Sequence, residues 1–239
     1  MTNAQSGTAR ESLPPTGDDL LLTVDGREPV TPGTVAAIGA VCDAAEDRAG
    51  RSSVVVRVSG APGAPGGREP GELTVALVGK WERALGRLAR LPALTVAVAD
   101  GDCGGPALDA FLATDYRIAT GTVRLVPTVL AGTTWPGMAL YRLARHGAAA
   151  APIRRAVLFG TPITGAAALA LNLVDEIADD PASALAAAGE LAAATSGPEL
   201  AIRRQLMSEA STTGFDEALG VHLAACDRLL RRAVAGAAS

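Results

Sequence analysis

The alternation of apolar runs and amphipathic stretches along this chain changes character at Pro127. Before it, β-branched and leucine-rich runs are separated by helical segments. Leu20 to Leu22 with Thr23 and Val24 predict a strand over 20–24, stopped by Asp25 and Gly26. Thr31 predicts a helix cap, with Pro32 in the first turn and the helix running to about Arg48. The run SVVVRV predicts a second strand over 53–58. A helix is expected over about 72–91, with Trp81, Leu85 and Leu88 on one stripe and Pro92 ending it. Residues 94–99 are apolar throughout, as in a strand buried on both faces. DGDCGGP over 100–106 then reads as a turn, and Pro106 suits the first position of a helix over 107–114. Short strands follow at 116–119 and 123–126. Beyond Pro127 the pattern is helical over 136–145, 152–158, 164–171, 181–194, 198–208 and 215–234, interrupted by a strand at 174–177.

Two stretches stand apart. Residues 60–71 hold three prolines and five glycines; so long a loop is either a mobile substrate loop or a tolerated surface insertion. On the last helix Phe215, Leu219, His222, Leu223, Cys226, Leu229 and Leu230 form one continuous stripe that must cover a core or meet another subunit. The expected organisation is a disordered, polar arm over 1–17, an α/β core over 18–195, and a helical oligomerisation region over 196–239.

Composition narrows the function. The 239 residues carry a net charge of −4, with 49% hydrophobic and 19% charged, which fits a packed globule. There is no basic surface and little aromatic content for nucleic acid. No run approaches the ~20 apolar residues of a membrane span, and the polar N-terminus does not read as a secretion signal. Cys42, Cys103 and Cys226 are odd in number and far apart, which fits a reducing, cytoplasmic setting. No Cys/His set has zinc spacing, so no metal is expected. His146 closes a predicted helix, where a cation favours the dipole, and His222 lies on the apolar stripe.

LFGTPITGAAALALNLVDE over 158–176 and PALTVAVADGDCGGPALDAFLATD over 92–115 resemble two signature segments of the crotonase superfamily, the enoyl-CoA hydratases and isomerases; Asn172 stands where glycine is common. The resemblance covers about residues 20–232. It implies an α/β fold, a crotonase-like spiral of ββα units with a helical C-terminal extension. Within the superfamily, DGDCGG at 100–105 and WPGMAL at 135–140 look most like the DpgB-type accessory proteins of dihydroxyphenylglycine biosynthesis. Such proteins assist a type III polyketide synthase that makes 3,5-dihydroxyphenylacetyl-CoA from malonyl-CoA in glycopeptide-antibiotic pathways. The resemblance also implies a homotrimer or hexamer, and an acyl-CoA thioester as substrate or ligand with no other cofactor.

Crotonase chemistry passes through a thioester enolate, whose oxygen needs two backbone N–H donors. By the resemblance, the first donor falls on Gly67. The second falls on Pro106, which has no N–H; a one-residue shift would hand the role to Gly105 or Ala107. The two carboxylates that hold water in a hydratase map to Asp109 and to Thr128, and threonine is no carboxylate base. Each candidate also has a plain reading. Asp109 is equally a first-turn carboxylate favouring a helix dipole. Asp102 lies in the pocket or serves turn chemistry. Cys103 is a nucleophile or a small buried thiol. Thr128 lines the pocket wall or a loop, and Trp135 packs on a substrate ring or anchors its loop. Arg83, Arg87 and Arg90 meet CoA phosphates or form a solvated helix face. Three functions fit: dehydration and aromatisation of a CoA-bound polyketide intermediate, stimulation of the synthase by binding alone, or ordinary enoyl-CoA hydration.

Overall fold

Strand β1 (Leu20–Asp25) opens a computed structural model that describes residues 19–48, 52–63, 73–130, 132–146, 150–193, 198–210 and 212–237. The arm over 1–17, Gly67 and most of the 60–71 loop lie outside the described residues. After β1 come α1 (Pro32–Asp47), β2 (Val54–Gly60), α2 (Val75–Leu88), β3 (Thr95–Gly104), α3 (Pro106–Phe111), β4 (Tyr116–Ala119) and β5 (Arg124–Val126). A hairpin of β6 (Val129–Leu130) and β7 (Thr133–Thr134) leads to α4 (Met138–His146) and α5 (Ala151–Phe159). Then follow β8 (Ile163–Thr164), α6 (Gly165–Ala170), β9 (Glu176–Ile177), α7 (Pro181–Ala193), α8 (Pro198–Glu209) and α9 (Phe215–Ala237).

The main sheet runs β1-β2-β3-β4-β9, all parallel, with β5 added to the end of β3 and β8 antiparallel to β5. This is the mixed α/β architecture expected. Both faces are covered, so apolar side chains point each way along a strand. Val54, Val56 and Val58 pack with Trp81, Leu85, Leu88 and Phe111 under α1, α2 and α3. Val55, Val96 and Ile118 pack with Ala184 and Leu185 of α7 on the other face. Local chemistry sets the ends. Thr31 and Thr34 cap α1 reciprocally, and Thr74 caps α2.

Three details differ from the sequence reading. The segment over 100–104 is a bent continuation of β3, kinked where Gly101 has φ +62. Two extra residues are accommodated there, because Ser59 pairs Asp100 while Gly60 pairs Cys103. The β6–β7 hairpin and β8 are added, each only two residues per strand and too short to show a period. Helix α3 stops at Phe111, with Leu112 as its C-cap.

Inter-element staples hold the rest. Asn172 has φ +55, a left-handed turn that explains why glycine suits that position. The buried Arg117 guanidinium donates to Leu173 O at 2.8 Å and Thr114 O at 3.0 Å, tying this turn to β4. Arg204 of α8 donates to Leu91 O, Ala93 O and the Asp115 carboxylate, which joins the C-terminal helices to the core. The apolar stripe of α9 is exposed in the single chain, including Phe215, Leu219, Leu223, Leu229 and Leu230. His222 is exposed there too, so it is not a core histidine.

The ends of β1, β2 and β3 meet backbone to backbone. A Cβ on Gly26 would lie 2.1 Å from Gly104 O and 2.2 Å from Gly60 O. Neither oxygen can retreat without breaking the sheet. Gly26→Ala is expected to destabilise the protein by about 3 kcal/mol or more, measured by urea denaturation. Gly39→Ala in α1 meets nothing within 4 Å and is expected to stabilise by about 0.5–1 kcal/mol.

Candidate active site

Helix α3 begins where those strand ends converge. Gly105 is its N-cap with φ +53, and a Cβ there would lie 2.6 Å from Pro62 Cγ. Pro106 occupies the first helical position, where its missing N–H costs no helical bond. Asp109 N–H donates to Gly105 O at 3.1 Å and closes the first turn. The amides of Ala107 and Leu108 therefore have no acceptor within the helix. Pro106 thus presents no amide at the head of α3, and Ala107 carries the next N–H along. Gly67 lies outside the described residues.

Asp109 points from α3 toward α2 and α4. Trp81 Nε1–H donates to Asp109 Oδ2 at 3.1 Å, and the Ala139 backbone N–H of α4 also donates to the carboxylate. Arg142 Nη1 lies 4.0 Å from Asp109 Oδ1. The Asp109 side chain is 19% exposed. Burial, then the negative charge of Glu82, push its pKa up to about 7, against the pull of Trp81, Arg142 and Ala139. A carboxyl half-ionised at neutral pH can both take and give a proton. Its surroundings fit a proton-transfer group better than a simple dipole partner, which would stay ionised.

The other candidates separate into groups. Trp135 N–H donates to Thr128 O at 2.8 Å across the β6–β7 hairpin. The Trp135 ring sits on Gly137, whose Cβ would meet ring Cδ1 at 2.7 Å. Thr128 and Trp135 are thus joined to each other, and the Trp135 ring anchors the entry to α4, the helix that presents Ala139 and Arg142. Asp102 takes a two-point ion pair from Arg124, both bonds 2.7 Å, on the exposed side of the sheet. Cys103, next along β3, is fully buried, and burial holds it firmly as a thiol. Arg87 of α2 is engaged by Glu46 and Asp43 of α1. Desolvation, then the charges of Arg117 and Arg145, draw the His146 pKa down, against its role as a cation at the helix end.

Glu82 and Arg142 escape sequence reasoning. Each looks like an ordinary polar residue of an amphipathic helix; the one available signal is that Glu82 directly follows Trp81. A separate cleft of about 480 Å³ opens between α8 and α9, lined by Leu206, Glu209, Phe215, Leu219 and His222, away from these residues. Among the described residues no three His, Cys, Asp or Glu side chains group as a metal site. No helix among them is long and apolar enough to cross a membrane.

The raised pKa of Asp109 has a signed consequence for stability. Unfolded, the carboxyl ionises near 4; folded, it stays protonated to about 7. The folded state binds the extra proton between these values, so the Asp109 contribution falls as pH rises from about 4 to 7. Asp109→Asn is therefore expected to be more stable than the parent above pH 7, by up to about 4 kcal/mol. The gap should close toward pH 4 in urea titrations run across this range.

No protein-family model matches the chain. It is 54% identical over 214 residues to a protein of Amycolatopsis orientalis named enoyl-CoA-hydratase, covering 90% of this chain and 97% of that one. An enoyl-CoA hydratase/isomerase from Marinobacter aquaeolei superposes with TM-score 0.76 at 16% identity, covering 92% of this chain and 90% of that one. An enoyl-CoA hydratase from Polaromonas sp. JS666 does so with TM-score 0.76 at 23%, covering 93% and 92%. These two likenesses speak to the fold, and the first to descent. With a carboxyl at the head of α3, beside the signature segments at 92–115 and 158–176, the chain belongs to the crotonase, or enoyl-CoA hydratase/isomerase, superfamily.

Proposed function

We propose that this chain assists a type III polyketide synthase in making 3,5-dihydroxyphenylacetyl-CoA from malonyl-CoA, as a step toward dihydroxyphenylglycine and glycopeptide antibiotics. Its own reaction is dehydration and aromatisation of a CoA-bound intermediate. One observation supports the reading: Asp109 is a buried carboxyl pushed up to about 7, and by the family resemblance Thr128 stands at the second carboxylate position. Asp109 takes a proton from carbon, the released electron pair becomes the new double bond, and hydroxide departs with that proton as water. One shuttling acid is enough for such an elimination, and ring formation drives it downhill. The first-turn amide of Ala107, with Gly67 by the family resemblance, would receive the thioester oxygen.

Ordinary hydration of an enoyl-CoA is the second reading. It draws on the name of the Amycolatopsis orientalis relative and on Glu82, a second carboxylate close enough to raise the Asp109 pKa. The exposed stripe of α9 suits a homotrimer or hexamer, or a contact with the synthase.

Asp109→Asn should lower stimulation of product formation by the synthase on malonyl-CoA by about 10²–10⁴-fold. Unchanged stimulation would overturn the catalytic step and leave binding alone. Rapid turnover of crotonyl-CoA would instead select the hydratase reading. Light scattering should show an oligomer that Leu223→Asp with Leu230→Asp dissociates; a monomeric parent protein would refute the assembly.

A further inference from the structure

We propose that Glu82 and Arg142 are a positioning pair for Asp109, in which Arg142 is a counter-ion anchored on Glu82 with one N–H reserved for ionised Asp109. The proposal rests on the reading of Asp109 as the proton carrier. Three helices assemble the group: α2 brings Trp81 and Glu82, α3 brings Asp109, and α4 brings Ala139 and Arg142. Arg142 Nη2 donates to Glu82 Oε2 at 2.7 Å, and the two side chains are only 14% and 20% exposed. Arg142 Nη1 is buried with no hydrogen-bond partner among the described residues. It lies 4.0 Å from Asp109 Oδ1, about one ångström beyond a hydrogen bond.

A buried guanidinium N–H without an acceptor is costly, and this one has an acceptor that strengthens on ionisation. While Asp109 is protonated, Glu82 keeps Arg142 back. When Asp109 loses its proton, the new charge draws Nη1 across the gap, and Trp81 Nε1–H and the Ala139 N–H keep the carboxylate oriented. Glu82 prevents Arg142 from clamping Asp109 permanently, and Arg142 prevents two carboxylates from facing each other uncompensated. Among the described residues, the charged or titratable groups acting on Asp109 are Glu82 from α2 and Arg142 from α4, with the neutral Cys103 thiol approaching from β3.

Trp81 gives a readout that needs no substrate. Its indole N–H bonds Asp109 directly, so its ¹⁵N NMR shift should follow the Asp109 titration. Trp135→Phe assigns the signal, since the chain has two tryptophans. Glu82→Gln keeps the shape and an acceptor for Arg142 but loses the charge; the midpoint should fall by about one pH unit. Arg142→Gln should raise it by a similar amount. A purely structural role would not move the two midpoints in opposite directions. An unchanged or higher midpoint in Glu82→Gln overturns the proposal, and this isosteric variant decides the matter alone if Arg142→Gln fails to fold. Opposed shifts without Asp109-dependent acyl-CoA turnover would support the pair and retire the catalytic reading. Asp109-dependent turnover with fixed midpoints would retire the pair alone.

Discussion

The contact on which the site depends is between backbones. Gly26, Gly60 and Gly104 bring the ends of three parallel strands so close that a single added Cβ at Gly26 would overlap two carbonyl oxygens. That crowding fixes where β3 ends. Gly105 then turns the chain in a left-handed conformation under Pro62, and α3 begins with Pro106. Because α3 starts there, its first turn aims Asp109 into the space between α2 and α4. Glycine occupies these positions because no side chain fits, and the direction of the Asp109 carboxyl follows from it.

Once placed, Asp109 takes its chemistry from its surroundings. Burial alone favours the protonated acid; Glu82 adds to this, and Arg142, Trp81 and Ala139 oppose it. The balance lies near neutrality, the useful range for a group that must accept and return a proton. The same helix that supplies Arg142 is anchored at its entry by the Trp135 ring on Gly137.

Much of the scaffold was legible locally. Thr31 caps the helix it precedes, the valines of β2 read as a strand, and the apolar run over 94–99 reads as a strand buried on both faces. The position of Asn172 in a signature segment matched its positive φ. Less was legible where pairing partners are distant. Residues 100–104 carry four turn-forming residues, yet they extend β3 because β5 offers hydrogen-bonding partners. Asp102 sits in a turn-like string, but its fate was set by Arg124 on the neighbouring strand. The hairpin after β5 is two residues per strand, below the length at which alternation can be seen.

The sequence by itself determined the local pieces: the threonine cap of α1, the proline at the head of α3 and the aspartate in its first turn. It could do so because caps, turns and periodicities act over a few residues. Only the tertiary structure decided which side chains surround Asp109. Trp81 and Glu82 come from one helix and Arg142 from another, and a proton affinity depends on burial and on charges across a gap, to which the order of residues along a chain is blind.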